Sequence, residues 1–464
     1  MRMVFKKVLT LILCSILLFA FSACSTNSKT VKTNGKNESN NAGKKEISGT
    51  VKLFVVGDPI EDTTDPITGD TIPGWKTLIQ DFLKTHPKVD VRITTIPWSD
   101  WQPKVTTALM NGDVDVVHLN EPKDWYDKGL IEPIDEYVKR DGINPVDLWG
   151  NMYDGPFIKY KGIHLGTPKF ISAKWTVYDK RLFDDYGVEY LKDHESLDSL
   201  MEKAKKMTGK DPKTGRQTYG GYMNNLDIFP KWVMDIFGQT NYAEWTTDNP
   251  ADIKWHINSD KVIQAYEWIA TFARYCPPGT SMSKGTENFY TDKNNVAMWI
   301  NTNGLGPLAS YIKKGEMDKV KPYGVVLSAT GVSGKNGITA SLHQWSLAKN
   351  SKNKDAAWEL MKYLGSPEMS LKLYEAKYAI PWGKDVESKI KPNDPYMKTL
   401  LKAWDESIPM EPAMLVPALG VELYKIGHNI VSAVENGKKV DEKYIKTELD
   451  KYQEKMTQMS RSMK

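Results

Sequence analysis

Apolar and polar positions alternate three times early in the chain, with helical spacing between the alternations. Val51, Leu53 and Val55 occupy every second position and predict a strand. A polar, turn-rich loop follows at 57–74, after which Trp75, Leu78, Ile79, Phe82 and Leu83 recur at helical spacing and predict one amphipathic helix. Val89, Val91 and Ile93 alternate again as far as Ile96-Pro97, a second helix is expected from about Trp101 to Asn111, and DVDVVHL at 113–119 reads as a buried strand. Strand, helix, strand, helix, strand predicts a parallel sheet in an α/β domain, and ligands of such sheets gather beyond the carboxyl ends of the strands. Asp58, Trp98, Asn120 and Glu121 fall on that rim.

Farther along, the stretch Lys161 to Phe183 contains two strand-like pieces, around Ile163–Leu165 and Trp175–Tyr178, with a break at Gly166 and Pro168 that reads as a boundary. From Gly187 to about Gly279 the pattern is mainly helical, with a hairpin expected at DPKTGRQTYGGY. KNNVAMWI at 293–300 predicts a strand emptying into a polar loop at 301–304, and strands are expected at 323–329 and 343–348. AAWELMKYL, SLKLYEAKYAIP and the run from Glu442 to Met459 predict helices.

A different pattern occupies the amino terminus. Arg2, Lys6 and Lys7 precede an apolar run from Val8 to Ala23, shorter than the roughly 20 residues a membrane span needs, so residues 1–23 read as an export signal. Phe21-Ser22-Ala23-Cys24 resembles a bacterial lipobox, in which cleavage precedes the cysteine and its thiol carries lipid. Residues 24–48 are then expected to be a lipidated, solvated tether, because Ser25 to Lys45 offers almost nothing apolar to bury. This end also distorts the charge. The whole chain is +4, yet residues 1–46 alone carry +6, so the body is slightly acidic and nothing in it predicts nucleic-acid binding. Of three cysteines only Cys276 lies in the body, which excludes an internal disulfide there. Asp58, Asp62, Asp65 and Asp70 lack the spacing of an EF-hand loop, and neither a metal nor a cofactor is expected. The body's length favours two domains.

The order of segments resembles the family 1 extracellular solute-binding proteins of ABC importers, the group that includes maltose-binding protein. FLKTHPKVDVRIT, MNGDVDVVHLN and YDKGLIEPIDEYV resemble that family's successive helix, strand and G-x-L-x-P-L segments, with Val114 where the family usually has Pro. Tyr178-Asp179-Lys180 stands in place of its Tyr-Asn-Lys, KNNVAMWIN resembles its G-K-x-A-M strand, and NSKNKDAAWELMKYLGSPE resembles its S-K-N-K-E-A-A-W helix. The resemblance implies a periplasmic-binding-protein-like α/β fold of two lobes, 49–170 plus 344–382 and 171–343 plus 383–464, joined by a three-crossing hinge. The crossings are expected near 168–171, 343–346 and 381–384. It also implies capture of an oligosaccharide in the cleft, hinge closure, and delivery to the membrane permease of an ABC transporter. The protein would act as a monomer held by the lipid on Cys24 at the outer face of the cytoplasmic membrane.

A sugar presents hydroxyls at its edge and weakly apolar faces, so its site needs aromatic platforms and paired hydrogen-bonding groups. Fifteen tryptophans supply platforms, although any one of them is more readily a core residue. Trp98, Trp101, Asn120 and Glu121 are candidates beside the first sheet, with Asp58. Lys169, Ser172 and Trp175 are candidates at the first crossing, with Trp345 and Trp382 at the other two. Trp232, Trp299, Asn301 and Tyr424 are candidates from the second lobe. The competing reading is a surface glycoside hydrolase working with a carboxylate pair such as Glu121 and Asp124.

Overall fold

The computed structural model describes residues 46–463 apart from 121, 151–158, 248, 335–340, 378, 391–393 and 409. The export signal, Cys24 and nearly all of the tether therefore lie outside the described residues, as does Glu121. Residues Ile47–Lys464 form one compact unit.

Two sheets organise it. β1 (Gly49–Val56) pairs in parallel with β4 (Val89–Ile96) and with β5 (Val116–Asn120). Between β1 and β4 lie a small hairpin, β2 (Thr63–Thr64) and β3 (Thr71–Ile72), and two short helices, α1 (Trp75–Leu78) and α2 (Gln80–Thr85). A single helix was expected over 75–83, and the chain instead pauses at Ile79, whose backbone leaves the helical region. α3 (Trp101–Asn111) matches its expected span. The sheet is completed by β6 (Ile131–Glu132), β7 (Thr167–Ser172) and a long late strand, Ser341–Ala348, which runs antiparallel to β5, β6 and β7. One face buries Val51, Leu53 and Val55 under Trp75, Phe82 and Trp358, and the other buries Val117 and Leu119 against Val105 and Leu109 of α3. Apolar residues on both faces are what a sheet covered on both sides requires.

The second sheet has four strands in the order β9 (Tyr222–Met223), β10 (Met298–Thr302), β8 (Trp175–Asp179) and β11 (Tyr323–Val326). The expected hairpin at DPKTGRQTYGGY forms from Gly209–Lys210 and Gln217–Thr218. Beside this sheet, four helices share a large apolar cluster that includes Trp232, Tyr266, Trp268, Leu419 and Leu449: α4 (Phe229–Phe237), α5 (Asp260–Ala273), α9 (Pro417–Glu435) and α10 (Glu442–Ser462). The intervening helices used below are α6 (Gly306–Lys314), α7 (Lys354–Leu364) and α8 (Pro367–Lys377), and the long late strand is β12.

The chain changes sheet between Ser172 and Trp175 and returns between Val326 and Ser341. Pro168, expected to mark the first break, lies inside β7 opposite Gln344. Apart from a single bridge between Ile171 and Ile380, β7 pairs with β12, an edge position where a missing N–H is tolerated. Gly166 has its own reason, since a Cβ there would stand 2.3 Å from the Trp345 carbonyl oxygen. A third apolar cluster contains Ile171 and Leu342 of the first sheet, Val177 of the second, and Tyr374 and Ile380 from the segment that follows β12. Gly166→Ala is therefore expected to lower the unfolding free energy by about 1–3 kcal/mol through overpacking, read as a shift of the urea midpoint. An unshifted midpoint would mean that the backbone can part there without strain.

Candidate functional site

Strand register places the first charged group. Along β12, His343 pairs with Phe170 and Gln344 with Pro168, leaving Lys169 as the extra residue of a bulge. Bulges re-aim a side chain, and this one sends Lys169 inward, where it is 1% exposed. Its Nζ donates to Asp58 Oδ2 at 2.6 Å and lies over the rings of Phe170 (4.7 Å), Trp75 (5.3 Å) and Trp345 (5.6 Å). Asp58, just beyond β1, also accepts from Trp75 Nε1 (3.2 Å), and its Oδ1 accepts from Lys377 Nζ (2.8 Å) at the end of α8. Burial alone would raise the Asp58 carboxyl, but the charges and hydrogen bonds of Lys169 and Lys377 hold it far below the ordinary carboxylate range. Burial pulls the Lys169 amine down to about 8 against the attraction of Asp58.

Beside this pair runs an aromatic slab. Phe170 stacks on His343 at 4.0 Å, and Trp98 stands edge-on to His118 and His343, 5.6 Å from each. Trp98 is 46% exposed and Trp101 packs between it and Trp125. Gly57 makes room for Trp98, since a Cβ on it would fall 1.7 Å from the indole Nε1. His118 Nδ1 accepts from the Val56 N–H at 3.2 Å, so its Nε2 carries the proton and donates to His343 Nδ1 at 2.9 Å. Both imidazoles are pushed well below their ordinary pKa by burial and by the nearby Lys169 charge.

A cavity of ≈ 180 Å³ opens between the two sheets, with Asp58, Trp75, Lys169, Phe170 and Lys377 on one side and Trp175 and Asn303 on the other. Trp175 is 2% exposed and its Nε1 has no hydrogen-bond partner among the described residues. Asp58 and Lys377 also line a larger opening of ≈ 1040 Å³, bounded by the β2–β3 hairpin, α6 and α8. There Lys314 Nζ of α6 pairs with Asp70 Oδ1 at 2.6 Å and Ser310 donates to Asp70 Oδ2, so the hairpin is fastened to a helix that packs beside the second sheet. The other acids of this loop are separately engaged. Asp62 accepts from the Gly74 N–H, and Asp65 accepts from the Ile67 and Thr68 N–H groups.

Of the residues singled out from the sequence, Asp58, Lys169 and Trp175 meet at the smaller cavity. Trp98 and Trp101 lie on the adjoining slab, and Asn120 sits opposite His343 with an unpartnered Oδ1. Trp345 lies beneath, buried edge-on to Trp75. Trp382 is buried and donates to the Gly365 carbonyl at 2.9 Å, and Trp232 is buried between Phe229 and Trp268 and donates to the Ala329 carbonyl at 3.0 Å. Trp299 is half-buried among Tyr222, Phe289 and Tyr290, with an unpartnered Nε1. Asn301 adopts φ 58°, and its Nδ2 donates to the Asn224 carbonyl at 3.1 Å. Tyr424, half-buried on α9, donates to the Met414 carbonyl at 3.4 Å. The side chain of Ser172 lies outside the described residues. Asp124, one half of the alternative carboxylate pair, is paired with Lys128 at 2.6 Å.

Sequence reasoning missed Trp75, Phe170, Asn303 and Lys377. The last three adjoin segments already marked as crossings or polar loops, and Trp75 opens the helix that follows the Asp58 loop, so position along the chain was the available signal.

A family model described as bacterial extracellular solute-binding protein matches residues 68–370. A Brucella abortus (strain 2308) protein is 22% identical over 339 residues, covering 70% of this chain and 76% of its own. Among solved structures, an ABC transporter solute-binding protein of Agrobacterium vitis S4 with bound D-mannitol is 18% identical at a TM-score of 0.66, covering 89% of this chain and 97% of that one. A Listeria monocytogenes ABC substrate-binding protein in complex with cycloalternan is 18% identical at 0.67, covering 88% and 99%. Maltose-bound T. maritima MalE3 is 18% identical at 0.64, covering 86% and 99%. These likenesses show the expected periplasmic-binding-protein-like α/β fold.

The network's energetics are open to test. Asp58→Asn strands the buried Lys169 charge and is expected to cost about 3–5 kcal/mol. Lys169→Met should cost less, because Asp58 keeps Lys377 and Trp75. Because the Asp58 pKa is depressed, its stabilisation is complete above its ordinary value of 3.8 and is lost as pH falls below it. Urea titrations should accordingly show the stability gap between parent and Asp58→Asn narrowing under acid. The reverse order of the two variants, or a gap independent of pH, would remove Asp58 as the keystone.

Proposed function

Because the chain belongs to the bacterial extracellular solute-binding protein family, we propose that it captures a sugar, specifically an oligosaccharide, and delivers it to the permease of an ABC importer. The observation that carries this reading is the cavity between the two sheets, where the aromatic rings of Trp75, Phe170 and Trp175 surround hydrogen-bonding groups fixed by Asp58, Lys169 and Lys377. Rings with a few fixed polar groups are what a saccharide's faces and edges require. The bound molecules named for the structural neighbours, D-mannitol, cycloalternan and maltose, point the same way. The proposed lobes are 49–170 plus 344–382 and 171–343 plus 383–464. Ligand contacts to both cavity walls would draw them together, since only contacts better made in the closed state can drive closure.

Binding occurs without turnover in this reading. Asp58, the one carboxylate among the described residues lining the smaller cavity, is saturated by two lysines and an indole and is held ionised, which suits neither proton donation nor nucleophilic attack. No helix among the described residues is long and apolar enough to cross a membrane, and the proposed attachment is a lipid on Cys24, with residues 24–48 as a tether on the outer face of the cytoplasmic membrane. The protein is proposed to act as a monomer.

Calorimetry against di- to pentasaccharides should give one-to-one binding, and ligand at about 100 times Kd should add about 2.7 kcal/mol of stability. No heat with any member of the panel would overturn the sugar reading, and release of reducing sugar on long incubation would favour a hydrolase. Cys24→Ala is expected to move the protein from the membrane fraction into the medium; retention at the membrane would reject the lipid anchor.

A further inference from the structure

The smaller cavity is rich in donors and poor in free acceptors. Its one carboxylate among the described residues, Asp58, has both oxygens engaged, Oδ1 by Lys377 and Oδ2 by Lys169 and Trp75. Two ammonium groups therefore face one carboxylate, which leaves one positive charge uncompensated among the lining residues. The Lys377 side chain is 26% exposed and spends one of its three donors on Asp58. Across the cavity stand the Trp175 ring and the Asn303 amide. A neutral sugar hydroxyl is best held by a group that accepts its proton, and the carboxylate here has little capacity left for that.

We propose that the cavity floor receives a carboxylate of the ligand, so that the captured saccharide carries a uronic acid seated between Lys377 and Trp175. The proposal rests on the sugar-binding reading above and narrows it to acidic saccharides. Desolvating a carboxylate is costly unless it is paired and hydrogen-bonded. Lys377 supplies the charge, and the Trp175 ring supplies a wall of the cavity opposite it. At ≈ 180 Å³ the floor is smaller than the roughly 300–1,000 Å³ of common ligand pockets. It therefore takes one sugar ring, with the rest of an oligomer extending past Asp58 and Lys377 into the ≈ 1040 Å³ opening. That opening has no positive surplus, because its described lining carries five acids against four lysines. Charge selection is confined to the floor.

The test compares uronate oligomers (galacturonate, glucuronate and mannuronate di- to tetramers) with their methyl esters, which keep the ring and remove the charge. The expected result is binding of at least one acid form, weakened tenfold or more by esterification. Lys377→Gln should weaken the acid form about tenfold while changing affinity for its ester less than threefold, and Lys377→Arg should restore most of the loss. The melting temperature of each variant shows that it is folded, and Lys425→Gln on the distant α9 serves as a control expected to bind like the parent. Equal or tighter binding of the esters or of neutral oligosaccharides, or unchanged acid affinity in Lys377→Gln, overturns the proposal and leaves sugar capture standing. Absence of binding by acid, ester and neutral oligomers alike overturns both.

Discussion

A buried lysine sets the terms for the middle of this molecule. Lys169 is turned inward by a bulge at the edge of the first sheet, and an ammonium cannot stay in that position without a counter-charge. Asp58 answers it from the loop beyond β1, Trp75 and Lys377 bind the same carboxylate, and three aromatic rings surround the amine. Through these contacts one charge ties together the end of the first strand, the first helix, the edge strand, β12 and the end of α8. Burial, reinforced by the charge of Lys169, also keeps His118 and His343 neutral, which lets them form a directed hydrogen-bond chain between two strands.

The fold was legible because its apolar spacing is clean. β1, β4 and α3 are readable from periodicity, since each buries one regular face. Departures came where backbone geometry, not hydrophobicity, decides. Pro168 looks like a break in the sequence but sits within an edge strand that does not need its N–H. The β2–β3 hairpin was read as a loop, although its DPITGD turn makes the same contacts as the recognised DPKTGR turn. In each, the leading Asp accepts from backbone N–H groups two and three residues on.

The candidate site was legible in part for a related reason. Asp58, Lys169 and Trp175 stand at chain positions that topology makes significant, at a strand end and at the passage between sheets. Nothing in composition separates Trp98, exposed on the aromatic slab, from Trp232, sealed in a helical core. That difference depends on packing partners distant in sequence, such as His343 for Trp98 and Trp268 for Trp232. Lys377 was hidden because α8 reads as an ordinary amphipathic helix, and only its carboxyl end reaches Asp58.

The fastening of Asp70 to Lys314 and Ser310 has a consequence for the resting state. Any parting of the hairpin from α6 must break this contact, which is partly open to water. An ion pair of that kind is worth about 0–1 kcal/mol, which biases the populations of parted and joined forms by no more than about fivefold. Driving such an equilibrium nearly to completion takes about 5.5 kcal/mol. This contact therefore cannot by itself lock the hairpin to α6, and in the proposed reading the occupant of the cavity supplies the difference.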